Sequence, residues 1–177
     1  MAYSELTSSF DRVRDHAWQA YIRTIDECLP AEKVLSAIVE RETALFDLVY
    51  FFGRAQDTAL LIDELLQKYT AAHQSRNVIR MKAQDIITFM FDNIYHHTNK
   101  PILPKVELNS CDLFVLEHLD AIAGSIVAEE PLYGVLDRFL ENHAQIVITG
   151  NVRLADMWKL APRIRAQLDG GISCLVK

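Results

Sequence analysis

Five short apolar runs, at residues 48–52, 78–81, 113–116, 145–149 and 172–176, alternate with stretches whose apolar residues recur at three- and four-residue steps. Short continuous apolar runs are the mark of strands covered on both faces, and helical stretches between them supply the crossovers that parallel strands need. The pattern predicts a three-layer αβα sandwich around a five-stranded parallel sheet. A chain of 177 residues, half of them apolar, is long enough to bury such a core.

The helical patterns sort as follows. Residues 10–28 place Phe10, Val13, Ala17, Tyr21 and Ile25 on one stripe, with Ser8 or Ser9 as cap and Pro30 as stop. Residues 31–43 present Val34, Leu35, Ile38 and Val39; residues 58–72 present Leu61, Leu65 and Tyr69; residues 83–95 turn Ile86, Ile87, Met90 and Ile94 toward the core. Two further helices are expected at 131–142 and 154–168, with Pro162 kinking or dividing the second. Residues 99–104, with two prolines, read as the clearest loop. The expected division is an additional N-terminal helix within residues 1–31 and the α/β domain over 32–177.

Charge and cysteine usage exclude several classes. A net charge of −6 without clustered Lys and Arg argues against broad nucleic-acid binding. The start lacks a basic-then-apolar leader, and no run reaches the roughly 18 apolar residues of a membrane span. Cys28, Cys111 and Cys174 follow no metal or disulfide spacing, and the two in strand-like surroundings read as small buried hydrophobes. A reducing, cytoplasmic setting is expected.

Residues 113–117 deliver Glu117 just past the buried end of a strand, where open α/β sheets hold their ligands. In nucleotide-hydrolysing P-loop proteins an acid there holds magnesium. The expected companion, Gly-x-x-x-x-Gly-Lys-Ser/Thr, is missing.

Three segments in order carry a resemblance: Leu116-Glu117-His118-Leu119-Asp120-Ala121-Ile122-Ala123-Gly124, Gln145-Ile146-Val147-Ile148-Thr149-Gly150-Asn151, and Ala161-Pro162-Arg163-Ile164-Arg165-Ala166-Gln167-Leu168-Asp169-Gly170-Gly171. Over some 145 residues they resemble the AAA+ base subdomain of the bacterial replication initiator DnaA, and more closely its regulatory homologue Hda. They are similar to the Walker B strand, the strand ending in sensor 1, and the box VII segment. The resemblance implies a P-loop NTPase-like fold, partners that are DnaA or another AAA+ protein, and a place in replication initiation. Homo-oligomerisation is a further implication, and the family's lid, DNA-binding domain and clamp-binding motif have no counterpart in these residues.

Departures from the family pattern decide the expected chemistry. The P-loop falls on residues 51–58, where only Thr58 survives, at the Ser/Thr place, while Gln56 replaces the glycine before the lysine and Asp57 the lysine. A like charge at about 4 Å from a triphosphate costs on the order of 4 kcal/mol at an effective dielectric near 20, or about three powers of ten in affinity. Glu117 and His118 stand at the Walker B acids and Asn151 at sensor 1, while Arg163 matches the first box VII arginine. The arginine finger aligns with Gln167, and a neutral amide cannot replace a guanidinium against developing phosphate charge. The expectation is a non-enzyme without cofactor or metal, a vestigial nucleotide site at Gly53, Asp57, Thr58, Glu117, His118 and Asn151, and an interaction surface at Arg153, Arg163, Arg165 and Gln167.

Other readings compete with these. Glu117 and His118 form an acid–base or metal pair only if the strand has ended between them, because neighbours on a strand point to opposite faces. His96-His97 is either a metal pair or, on the plainer reading, a solvated helix end. Residues 53–57 either keep an anion site or are self-capped by Asp57. Phe10, Trp18 and Tyr21 are expected to pack on the domain rather than recruit a partner. Alternative functions are a structural adaptor in a secretion or phage-related assembly, and a residual nucleotide binder.

Overall fold

The computed structural model describes residues 30–40, 47–103 and 105–177. In chain order these form α1 (Ala31–Val39), β1 (Leu48–Gly53), α2 (Ala55–Ala72), β2 (Val78–Lys82), α3 (Ala83–Tyr95), α4 (Lys105–Ser110), β3 (Leu113–Glu117), α5 (Ile126–Glu141), β4 (Gln145–Gly150), α6 (Pro162–Asp169) and β5 (Ile172–Val176). Short 3-10 turns lie at Leu119–Ile122 and Leu154–Asp156. The expected helix at 10–28, with Phe10, Trp18, Tyr21 and Cys28, lies outside the described residues, as does the expected continuation of the second helix to Thr43.

The strands form one sheet in the order β2-β3-β4-β1-β5, and every pairing is parallel. Alternate residues feed two cores, which is why the strands read as unbroken apolar runs. On one face Tyr50, Phe114, Leu116, Ile146 and Ile148 pack with Ile86, Leu132, Leu136, Phe139, Ile164 and Leu168 from α3, α5 and α6. On the other, Val49, Phe51, Val115 and Val147 pack with Val34, Leu35, Leu61, Ile62, Leu65 and Tyr69 from α1 and α2. The rings of Phe114 and Phe139 meet at 4.6 Å, and both are fully buried. Burial of each such side chain contributes about 1.5–3 kcal/mol, so both faces of the central strands hold the layers together.

Several elements differ from the sequence expectation. Helix α2 begins at Ala55 rather than 58, because the chain turns at Arg54 directly into helical hydrogen bonding: Asp57 and Thr58 N–H donate to Arg54 O at 2.9 and 3.0 Å. Helix α5 begins at Ile126, five residues before Pro131. Pro131 lies in the second turn, where it forgoes its intrahelical bond and crowds the Val127 carbonyl, and the start is held by Glu129, whose buried carboxylate accepts from Gly124 N–H at 2.9 Å. Pro162 divides the expected 154–168 helix, serving as the first residue of α6. Helix α4, six residues long, is too short for a periodic signal. Ile94, expected in the core, is exposed together with Phe91 and Tyr95 in the last turns of α3. Cys111 and Cys174 are buried, as small apolar residues would be.

Candidate functional site at the carboxyl edge of the sheet

Strands β3, β4 and β1 are adjacent, so the ends carrying Glu117 and His118, Gly150 and Asn151, and Gly53 and Arg54 lie side by side. The sequence-predicted vestigial site is therefore one locality in the fold. Its residues are engaged with one another and with the surrounding chain.

At β1 the strand continues through Phe51, Phe52 and Gly53, which pair with Thr149, Gly150 and Val176. Arg54 alone joins strand to helix. A Cβ on Gly53 would lie 2.5 Å from the Val176 carbonyl oxygen, so the close approach of β1 and β5 requires glycine there. Thr58, fully buried, has its hydroxyl 3.1 Å from the Ala55 carbonyl of its own helix. Asp57 does not cap α2, contrary to expectation. Its carboxylate instead accepts from Arg54 Nε at 2.6 Å, an exposed guanidinium being the nearer and better donor.

At β3 the strand ends at Glu117, and His118 adopts a left-handed backbone with φ 60°. That turn breaks the strand alternation between them, while His118 N–H donates to Thr149 Oγ1 at 3.1 Å. Glu117 is buried, and its carboxylate is held by Arg80 of β2: Nε to Oε1 at 2.6 Å and Nη2 to Oε2 at 3.1 Å. Arg80 also reaches Asp63 of α2, Nη1 to Oδ1 at 2.9 Å. This pairing, with its hydrogen bonds to Glu117, raises the guanidinium's affinity for its proton still further. Arg80 escaped the sequence reading, although a lone charge inside the run Val78-Ile79-Arg80-Met81 is a signal for such a pair.

At β4, Asn151 is bound by Asp120 twice, through its backbone N–H and its Nδ2, each at 2.9 Å. Tyr50 Oη donates to Val152 O at 2.7 Å. Burial, with the neighbouring Asp120 charge, pushes the Tyr50 phenol well above its ordinary pKa. Gly150 is required beneath it, since a Cβ there would land on Tyr50 Oη.

The box VII residues divide by position. Arg153 is exposed, and Arg163 is bonded to Glu130 at 3.0 Å while lying 4.6 Å above the Tyr133 ring. Arg165 donates to the Met157 carbonyl, and both its Nε and Gln167 Oε1 are buried without a hydrogen-bond partner among the described residues. Ile126 and Trp158 are 78% and 77% exposed, with Lys159 Nζ 5.2 Å from the Trp158 ring. Sequence reasoning missed these two exposed apolar side chains, because neither interrupts a helical stripe.

His96 packs edge-on against Tyr95 at 5.0 Å, and His97 has φ 51° at the end of α3. Among the described residues, no group of three or more His, Cys, Asp or Glu side chains converges to hold a metal ion. Nor is any helix among them long and apolar enough to cross a membrane. A nucleotide with magnesium does not fit the residues present: the amides at 57 and 58 are spent within α2, the Thr58 hydroxyl turns back on its helix, and both Glu117 oxygens are bound by Arg80.

No known protein-family profile matches the chain. Over 138 residues it is 26% identical to the chromosomal replication initiator protein DnaA of Sphingopyxis alaskensis, covering 77% of this chain and 29% of that protein. The chain thus spans less than a third of the relative's length. It superposes on AMPPCP-bound DnaA from Aquifex aeolicus with a TM-score of 0.70 at 16% identity, covering 83% of this chain and 45% of that one. Domain III of the Thermotoga maritima replication initiation protein DnaA superposes with a TM-score of 0.70 at 10% identity, covering 88% and 66%. At these identities the structural likeness establishes the fold.

Proposed function

We propose that this chain, a DnaA-like AAA+ base subdomain in sequence and fold, acts as a non-catalytic protein–protein interaction module that regulates or scaffolds the initiation of DNA replication. The observation that carries the reading is the single-residue connection at Arg54. Phosphate loops work by presenting a run of free backbone amides and a lysine to the β- and γ-phosphates. Here the segment is divided between a paired strand and the first turn of a helix, with Asp57 where positive charge is needed. With no cradle among the described residues and no guanidinium at Gln167, the aligned positions do not stabilise phosphoryl transfer in the family's manner, the chain's own or a neighbour's.

What remains at the carboxyl edge suits docking. Trp158 and Ile126 are exposed apolar side chains, Lys159 lies against the Trp158 ring, and Arg153 and Arg163 lie five residues to either side of Trp158 in sequence. Large aromatics and arginines are the residue types enriched at protein interfaces. The partner is a AAA+ replication protein such as DnaA, or a second copy of this chain, and binding blocks, caps or scaffolds it. The test is titration against the DnaA of the same host, reading binding and ATP turnover together. Binding with no turnover attributable to this chain supports the reading. Absence of binding at micromolar concentrations rejects the replication role, and turnover by the isolated chain rejects the non-catalytic one.

A further inference from the structure

An acid at the carboxyl end of an interior strand has one recurrent task in nucleotide-handling P-loop folds, which is to hold a divalent cation. Glu117 occupies that place and its side chain is 4% exposed. A buried carboxylate must be paired, and the charge it meets here belongs to the chain itself. Strands β2 and β3 are parallel with Arg80 opposite Val115 and Lys82 opposite Glu117. Arg80 and Glu117 therefore lie on the same face, one step apart along neighbouring strands, and the long guanidinium bridges that step. It meets the carboxylate with both prongs of its fork, at 2.6 and 3.1 Å, and turns its third nitrogen to Asp63 at 2.9 Å. A planar, permanently charged group bound by two acids is a well-defined arrangement that a flexible ammonium does not reproduce.

We propose that Arg80 is a resident cation, standing where related folds take a divalent ion and holding the carboxyl edge in one charge state whatever the metal or nucleotide supply. A divalent ion needs several oxygen ligands in an ordered shell. Both Glu117 oxygens are already accepting, the Thr58 hydroxyl is directed to the Ala55 carbonyl, and a metal entering would have to displace the guanidinium from both carboxylate oxygens. The edge that relatives set by binding a ligand is thereby set by covalent structure. This goes beyond partner docking, and its test involves no partner, so either proposal can fail while the other stands.

The experiment is thermal unfolding of the full chain in EDTA, in millimolar Mg2+ and in millimolar Mn2+. The wild-type melting temperature is expected to be the same in all three. Arg80→Ala is expected to melt lower in EDTA and to recover part of the loss with either metal, as Glu117 and Asp63 accept the replacement cation. Arg80→Ala combined with Glu117→Gln is expected to ignore both. A wild-type melting temperature that rises with metal, or an Arg80→Ala chain that folds but does not respond, overturns the proposal. Electron paramagnetic resonance of Mn2+ titrated with wild-type chain needs no variant to fold. The free-ion signal is expected to persist, and its loss on addition of equimolar wild-type chain would overturn the assignment.

Discussion

Glu129 is the residue through which the carboxyl edge is most easily loosened without touching its charged pair. It is buried, and its Oε1 accepts two backbone N–H groups: Gly124 at 2.9 Å, in the turn after β3, and Ala161 at 3.2 Å, the residue before α6. One carboxylate oxygen thus ties the turn that follows Glu117 to the start of the helix carrying Arg163. Glu129→Ala removes both bonds and leaves two amides without that acceptor. Hydrogen bonds to a charged group contribute about 1.5–3 kcal/mol each, and because these two share an oxygen the lower end applies, giving about 3–4 kcal/mol. For a domain of this size each kcal/mol moves the melting temperature by roughly 2–4 °C, so the expected fall is about 6–16 °C. Glu129→Gln keeps an oxygen in place but loses the charge, and neutral bonds of about 0.5–1.5 kcal/mol each put its expected cost at about half that of the alanine variant. Urea unfolding at matched m-values separates a true stability loss from a change in the denatured state. An alanine variant within about 1 kcal/mol of wild type, below the range for even one charged bond, would refute the clamp.

Gly150→Ala is expected to eject the Tyr50 hydroxyl from its 2.7 Å bond to Val152 O and to cost about 1–3 kcal/mol by overpacking; a melting temperature equal to wild type would contradict it. Alkaline pH should destabilise the fold, because burial pushes the Cys111 thiol up to about 11 from its ordinary value of 9.0 and raises Tyr50 as well. The folded state keeps these protons longer than the unfolded chain does, so stability is complete below pH 9; Cys111 lowers it through the pH 9–11 window and Tyr50 adds to the loss only above its ordinary value of 10.0, each at up to about 1.4 kcal/mol per pH unit. Urea midpoints measured across that range check this, and Cys111→Ala should flatten the slope. Trp158→Ala, at a side chain 77% exposed, should change stability by less than about 0.5 kcal/mol. It should nevertheless weaken partner binding more than about tenfold if the side chain anchors the interface; an unchanged affinity by titration calorimetry would remove it from the docking surface.

The layered fold was legible because its determinants are local. Residues 48–52 or 113–116 carry both faces of a covered strand in their own composition, and 83–95 carry a full helical stripe, so these elements fall where the sequence places them. Elements whose limits depend on distant partners were misplaced. The start of α5 rests on Glu129 bonding across to Gly124 and Ala161, which lets Pro131 sit inside the helix. The early start of α2 follows from β1 pairing as far as Gly53. Ile94 fits the stripe of α3 perfectly well, and its exposure depends on what lies opposite that turn. The site followed the same division. Motif order identified the strand ends, but the Arg80–Glu117 pair joins residues 37 apart through a strand register that no single segment encodes.

A joint of one residue between β1 and α2 also constrains what ancestry or engineering can do with this chain. Placing glycine at Gln56 and lysine at Asp57 would merely decorate the opening turn of a helix, since the backbone that ought to curl around an anion is zipped into the sheet. Phe51, Phe52 and Gly53 would have to part from β4 and β5, and Phe51 would have to leave the interior, before a ligand repaid any of that loss. Each intermediate on such a route is less stable than its predecessor. A joint this short sets a barrier in stability between the present backbone and one that could curl around an anion.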